Sequence, residues 1–144
     1  MAGKLDGTKL VSITWTAPNE NAAQALRDFF DFHKDYMEEK SYRQGQLELI
    51  QYTIAESQEY VEDGFVWMEG KTPEKTGKIV FHQYELYRNA DGIHHHWIDG
   101  KEIFPSISEM IRTYKIEFKM NNMLTITHSP VSYTHLTLPT KRIV

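Results

Sequence analysis

Two neighbouring segments near the middle of the chain carry side chains that can exchange protons. Glu85 and Tyr87 end an alternating apolar–polar segment, and a run of three histidines, His94–His96, follows after a short turn. Alternation with period two predicts a β-strand with two distinct faces, and the turn predicts a helix start that Asn89 or Asp91 can cap. A carboxyl group and a phenol at a strand end would then lie beside imidazoles on a helix. The pattern predicts a candidate pocket but identifies no substrate.

The surrounding sequence predicts the elements that position these groups. Apolar residues alternate along the predicted strands and form one stripe along the first predicted helix, on which His33 lies as an expected core histidine. In chain order, the predicted elements are a strand from Leu10 to Thr16, a helix from Asn19 to about Lys40, a strand from Leu47 to Ile54, a strand from Lys78 to Tyr87, a helix from Ala90 to Ile98, a helical segment carrying Ile107 to Tyr114, and a last strand from Leu124 to His128. An extended piece from Ile116 to Met120 can precede this last strand.

Residues 55–77 form an insertion between the second and third predicted strands. The pair Asp63-Gly64 is typical of a tight β-hairpin, with strands on Glu59–Glu62 and Phe65–Met68. A short helix through Tyr60 is the alternative prediction.

The order strand, helix, two strands, helix, strand predicts an α+β protein with the ferredoxin-like βαββαβ arrangement and an antiparallel sheet. Both helices must then pack on one face of the sheet, which leaves the other face in need of cover. Two sheets facing each other would supply that cover. We therefore expect a homodimer.

Length and composition favour one compact domain. The chain of 144 residues is 40% hydrophobic, and its 16 basic and 20 acidic residues give a formal net charge of −4. A weakly acidic chain without a basic cluster is a poor nucleic-acid binder. The lack of cysteine excludes disulfides and Cys nucleophiles. Since no apolar run reaches the ~20 residues of a membrane span, we expect no membrane partner and a cytoplasmic location.

The C-terminal segment calls for separate treatment. Residues Pro130 to Thr140 resemble translated read-through of the transposon-end adapter used in making sequencing libraries. We therefore expect the domain to cover residues 1–129 and residues 130–144 to be a non-native tail. A natural, Thr-rich extended tail is the alternative.

The segments Tyr84–Ala90 and Ile93–Trp97 resemble the motif of the dimeric α+β barrel superfamily, and within it the antibiotic biosynthesis monooxygenase-like domain. That motif is a strand ending in an aromatic-Glu-x-aromatic pattern, a short turn, and a helix with an Ala-His-Leu-type sequence. The resemblance spans about residues 9–128. It implies a dimeric barrel in which the sheet face away from the helices lines a cavity for a small-molecule ligand.

Under this resemblance, alternation assigns each strand residue to a face. The residues expected beneath the helices are Val80, His82, Tyr84, Leu86, Val11, Ile13 and Trp15. The residues expected at the cavity are Phe81, Gln83, Glu85, Tyr87, Ser12, Thr14, Leu49, Gln51, Thr125 and Thr127. From the cavity set, the candidate substrate-binding residues are Ser12, Thr14, Gln51, Phe81 and Gln83, and the second helix adds Trp97.

The resemblance also implies a chemistry without a metal, flavin or other cofactor. Enzymes of the family deprotonate an electron-rich phenol or anthrone, and the anion then reduces dioxygen directly. Such chemistry needs a general base and donors that stabilise an oxyanion. The candidate catalytic residues are His96, placed first as the base, then Glu85, with Tyr87 as a donor that Gln83 and Ser12 could assist.

Haem and metal binding are both disfavoured by the sequence. The haem-degrading branch of the family has an Asn on the first strand and a Trp ending the third, where this chain has Ser12 or Thr14, and Tyr87. Consecutive residues on a helix point about 100° apart, so the side chains of His94–His96 cannot converge on one ion. We therefore expect no metal site.

Two other functions compete with the oxygenase. One is a non-catalytic ligand-binding or stress-response barrel, and the other is a structural dimer whose own side chains fill the cavity. Glu85 could equally serve an ion pair with Arg88 or Arg112 across the dimer.

Overall fold

The computed structural model describes residues 2–131; Met1 and residues 132–144 lie outside this range. The predicted non-native tail therefore falls outside the described residues apart from Pro130 and Val131. In chain order, the described elements are β1 (Lys9–Ala17), α1 (Glu20–Lys40), β2 (Leu49–Tyr60), α2 (Gly64–Met68), β3 (Lys75–Tyr87), α3 (Ala90–Asp99), α4 (Phe104–Tyr114) and β4 (Glu117–Thr125).

The strands form one antiparallel sheet in the order β2-β3-β1-β4. This α+β architecture, with a four-stranded sheet and four helices, is compatible with the predicted ferredoxin-like fold. The two central strands, β1 and β3, carry most of the buried apolar side chains of the sheet. The hydrophobic core therefore packs against the two central strands of the sheet.

The first helix forms as its sequence predicts. Asn19 caps α1, because its side-chain oxygen accepts a hydrogen bond from the backbone N–H of Ala22 at 2.9 Å. Leu26, His33 and Met37 are buried along one side of α1, as the predicted stripe requires. Within residues 2–131, no helix is both long and apolar enough to cross a membrane.

The predicted face assignment of β3 is wrong. Residues directly opposite each other on neighbouring strands share a face, and Ile13 lies opposite Gln83 while Val11 lies opposite Glu85. All four side chains are buried. The helices therefore cover the face that carries Phe81, Gln83, Glu85 and Tyr87. Gln83 and Glu85 look outward-facing by polarity, but they are buried because they hydrogen-bond one another.

The opposite face of the sheet is partly exposed, and we call it the open face. Ser12 and Thr14 lie on it, and Ser12 Oγ is 2.9 Å from His82 Nε2. Gln51 also lies there, opposite Leu86. The prediction that Ser12, Thr14 and Gln51 share one cavity with Glu85 is therefore wrong, since the sheet itself separates the two groups.

The insertion differs from the predicted hairpin. Strands β2 and β3 extend further than predicted, to Tyr60 and from Lys75, and those two residues pair. The segment from Phe65 to Met68 belongs to α2 and is not a strand. Asp63 caps this short helix by accepting a hydrogen bond from the Phe65 N–H at 3.1 Å. Because Asp favours helix N-caps as well as turns, Asp-Gly alone does not distinguish the two structures.

The last strand begins earlier than its first prediction, which placed it at Leu124–His128. The extended piece predicted to precede it, Ile116–Met120, belongs almost entirely to β4, which ends at Thr125. Beyond β4 the chain stays tied to the N-terminal segment, because the Gly7 N–H donates to the Ile126 carbonyl at 2.9 Å and the Lys4 N–H to the Pro130 carbonyl at 2.8 Å.

The N-cap of α1 gives a first prediction. Asn19→Ala removes the side-chain acceptor of the Ala22 N–H, so we expect the free energy of unfolding to fall by about 1 kcal/mol. Urea denaturation followed by circular dichroism measures it. Asn21→Ala is the matched control, because Asn21 is exposed inside the first turn and makes no cap. Equal losses in both variants would contradict the capping role.

Candidate functional site

A buried carboxylate near the end of β3 is the centre of the candidate site. Glu85 is 1% exposed. One of its oxygens accepts a hydrogen bond from the Gln83 side-chain amide, and the other accepts from Tyr87 Oη at 2.8 Å. Gln83 in turn accepts from Trp15 Nε1 at 3.1 Å. This chain of hydrogen bonds fixes the position of both carboxylate oxygens.

His96 on α3 faces this carboxylate from the helix layer. Its Nε2 lies 3.7 Å from Glu85 Oε1, which is beyond hydrogen-bond distance. Gly92 allows this approach, since a Cβ at that position would lie 2.9 Å from the Tyr87 ring. Of the neighbouring histidines, His94 is exposed and the ring of His95 contacts Tyr42 with centroids 5.3 Å apart. The three imidazoles diverge, as predicted for a helix.

A second histidine, His33 on α1, also reaches the carboxylate. His33 is buried, and its Nδ1 lies 2.7 Å from the Tyr52 hydroxyl of β2. Its ring centroid is 5.9 Å from that of His96. Potential ligand atoms of His33, Glu85 and His96 all lie within 4.8 Å of one another. Three different elements therefore bring two imidazoles and one carboxylate to a single point.

Burial sets the protonation of the groups around this point. Desolvation, with a smaller effect of the nearby His96, lowers the pKa of His33 from 6.5 to about 3. Desolvation and the negative charge of Glu85 raise the pKa of Tyr87 and of Tyr52 well above the ordinary phenol value. At neutral pH, His33 is therefore a neutral imidazole, and both phenols keep their protons.

A cavity of about 40 Å³ adjoins the carboxylate beneath the helices. Its walls are mainly aromatic, and its polar groups come from His33, Gln83 and Glu85. The complete lining is Ile13, Trp15, Phe29, His33, Gln83, Glu85, Trp97, Phe104, Ile107 and Phe118. Since a single water needs about 10–15 Å³, the cavity holds a few waters or a diatomic gas. A polycyclic ligand requires movement of the rim, where Phe104 is 41% exposed.

A second, narrower cavity lies behind His96. Its volume of about 10 Å³ is about the minimum that a single water needs. Lys40, Tyr42 and Asp99 line it, together with Tyr87 and His96. Asp99 also accepts a hydrogen bond from the Tyr36 hydroxyl at 3.0 Å. His96 thus lines this polar cleft, whereas its neighbour Glu85 lines the aromatic cavity.

The structure unites part of the predicted site. Glu85, Tyr87, His96 and Gln83 form one cluster, and Trp97 lines the adjacent cavity. Phe81 lies on the same sheet face, but it does not line the cavity. Its ring packs against that of Phe30, with the two ring centroids 5.6 Å apart. The catalytic and binding roles of all these residues stay predictions.

Sequence reasoning missed two members of the cluster, His33 and Tyr52. The available signals were the place of His33 on the apolar stripe of α1 and the alternation that puts Tyr52 on the same side of its strand as Ile54. Neither signal shows that the two side chains meet. Arg88, considered as a partner of Glu85, instead pairs with Glu48 within the chain, at 3.3 Å.

Comparisons of the chain with protein-family models, with curated proteins and with solved structures found no match. The resemblance to the antibiotic biosynthesis monooxygenase-like domain therefore rests on the motif around Glu85 and His96 alone. It stays a prediction.

The lowered pKa of His33 gives a second prediction. In the unfolded chain His33 takes up a proton near pH 6.5, whereas the folded protein does so only near pH 3. The unfolded state therefore binds more protons in this window, and the free energy of unfolding falls as the pH is lowered through it, by up to about 1.4 kcal/mol per pH unit. Urea denaturation between pH 4 and pH 8, buffered in steps of about one unit, measures this slope.

His33→Gln is expected to flatten the slope, because it removes the titrating group. The exposed residue His94 supplies the control, since His94→Gln should leave the pH dependence unchanged. A wild-type slope identical to that of His33→Gln would show that His33 is not held neutral by burial.

Proposed function

We propose that this protein is a small-molecule enzyme that uses Glu85 and His96 as an acid–base pair beside the aromatic cavity. The observation that supports this best is the buried carboxylate itself, which has two donors and an imidazole at 3.7 Å. Burying a carboxylate costs several kcal/mol unless partners compensate, and an apolar residue would fill the same volume without that cost. Buried ionisable groups with specific partners beside a cavity are typical of functional sites.

The reaction class that fits is cofactor-independent oxidation of an electron-rich aromatic molecule. His96 Nε2 takes a proton from a phenol or anthrone, and the Glu85 carboxylate stabilises the imidazolium that forms. The substrate anion transfers an electron to dioxygen, and the two radicals combine into a peroxide anion. This anion takes the proton back from the His96 imidazolium and becomes a hydroperoxide. Loss of water from the hydroperoxide then gives a quinone. One oxygen atom enters the product and the other leaves as water.

Tyr87 and Gln83 have supporting parts in this scheme. Both donate to Glu85, and these two hydrogen bonds hold its carboxylate in position near His96. The aromatic walls of the cavity suit a flat, apolar substrate. Because the cavity has a volume of about 40 Å³, Phe104 and Trp97 at its edge must swing outward before such a substrate enters.

The open face supports a homodimer with the barrel architecture of the resembled family. It mixes apolar side chains, such as Leu10 and Val80, with the hydroxyls of Ser12 and Thr14, and these residues are half-buried within one chain. A second sheet packed on this face would complete their burial. The cavity next to Glu85 lies on the other side of the sheet, so a dimer of this kind would leave the cavity within each chain.

Oxygen uptake by chelator-treated protein tests the proposed chemistry. Soluble anthrones and hydroquinones are the substrates, and an oxygen electrode measures kcat/KM. We expect His96→Gln to lower kcat/KM by at least about 100-fold, because general-base catalysis contributes that much or more. Glu85→Gln should cause a smaller loss, since the imidazolium then lacks its counter-charge.

His94→Gln is the matched control, because His94 is exposed on the same helix and lies away from Glu85. We expect it to retain wild-type kcat/KM. Equal rates in wild type and His96→Gln would refute the acid–base role. Quenching of Trp97 fluorescence by the same compounds without any oxygen uptake would support the non-catalytic binding function, which the mainly aromatic lining favours.

A further inference from the structure

We propose that His33, Glu85 and His96 form a binding site for a divalent transition-metal ion of the Zn²⁺ or Fe²⁺ class. The three side chains come from α1, β3 and α3, and their potential ligand atoms lie within 4.8 Å of one another. The run of histidines that invites a metal interpretation in the sequence supplies one of these ligands, His96. The other two become neighbours through the fold.

The donor set matches known metal chemistry. Two imidazoles and one carboxylate form the ligand set of many catalytic zinc sites, and of the non-haem iron sites called facial triads. In a tetrahedral zinc site with bonds of about 2.0–2.1 Å, the ligand atoms lie about 3.3–3.4 Å apart. The 3.7 Å between His96 Nε2 and Glu85 Oε1 is close to that spacing. All pairs of potential ligand atoms lie within 4.8 Å. To reach the tetrahedral spacing, the widest pair must therefore move together by at most about 1.5 Å, as the imidazole rings turn towards the ion.

The surrounding hydrogen bonds orient the three ligands. His33 Nδ1 lies at the Tyr52 hydroxyl, 2.7 Å away, which leaves Nε2 as the nitrogen available to an ion. The Gln83 amide and the Tyr87 hydroxyl each hold one oxygen of Glu85. Metal-bound histidines and carboxylates in proteins are held by outer hydrogen bonds of this kind, which fix the tautomer and the ring orientation.

The site also has room for a further ligand. Three protein ligands leave at least one coordination position open, as in catalytic zinc sites. His33 and Glu85 both line the cavity of about 40 Å³, which is large enough for a metal-bound water. An ion here would therefore contact both the protein ligands and any small molecule that enters between Trp97 and Phe104.

This inference does not depend on the proposed oxidation chemistry. An ion would use the lone pairs of Glu85 and His96, so a metal-bound chain could not also use His96 as a free base. His33 separates the two activities, because it is a metal ligand but not part of the acid–base pair. Added Zn²⁺ is accordingly expected to suppress cofactor-free oxygen uptake in the wild type.

Direct metal binding tests the site without any substrate. The full chain, prepared without a histidine tag and stripped with a chelator, is titrated with Co²⁺ in an absorption cell and with Zn²⁺ in a calorimeter. We expect one ion per chain, with the intense visible absorption of four- or five-coordinate Co²⁺ that Zn²⁺ displaces. His33→Gln should weaken Zn²⁺ binding by at least about 100-fold, more than the loss of an outer hydrogen bond causes.

His96→Gln is the second variant, because its side chain is partly exposed and tolerates replacement better than the buried His33. Circular dichroism confirms that each variant is folded before titration. His94→Gln and His82→Gln are the controls, since these histidines lie on the outer side of α3 and on the open face. Both should bind Zn²⁺ as the wild type does.

Two results would overturn the proposal. One is an unchanged Zn²⁺ affinity in folded His33→Gln and His96→Gln. The other is loss of Zn²⁺ binding and of Co²⁺ absorption in His94→Gln, which would place the ion at the surface. A failure of the oxygen-uptake experiment alone would leave the metal-site proposal intact, because calorimetry and Co²⁺ absorption need no turnover.

Discussion

The structure depends on keeping one buried carboxylate hydrogen-bonded. Glu85 lies under the helices, where an unpartnered charge would cost more than most single contacts contribute. Gln83 and Tyr87 meet that requirement directly, and Trp15 holds Gln83 in place. Among the described residues, no fully buried side-chain nitrogen or oxygen lacks a hydrogen-bond partner. The polar chain and the aromatic core around it are therefore one unit, in which the pairing of β1 with β3 brings Trp15 to Gln83.

That register also explains which parts of the fold the sequence could predict. The 3.6-residue stripe of α1 and the alternation of β3 are local patterns, and both elements form close to their predicted positions. Which face of β3 is buried is not a local property, because it depends on pairing with a distant strand. Polarity alone would place the side chains of Gln83 and Glu85 on the exposed face of the sheet. Their mutual hydrogen bond, which polarity scales do not include, reverses that assignment.

The same limitation applies to the candidate site. Glu85 and His96 are close in sequence and joined by a short turn, so their proximity could be predicted from the strand–turn–helix pattern. His33 is separated from the strand of Glu85 by β2 and α2, and it meets Glu85 only because α1 packs on the buried face of the sheet. A histidine on an apolar stripe is consistent with a packing role and with a ligand role alike. Distances between side chains distinguish the two, and sequence periodicity does not supply them.

Proton transfer by His96 and binding of a metal ion, the two activities proposed for this site, would compete for the same position. Glu85 contributes one negative charge, and the imidazole of His33 stays neutral because burial lowers its pKa to about 3. The carboxylate would attract a cation bound beside it. Protonation of His96 makes no use of the His33 lone pair, whereas a metal ion does. A neutral, buried imidazole directed at a carboxylate thus has a clear physical function if a cation occupies the space between them.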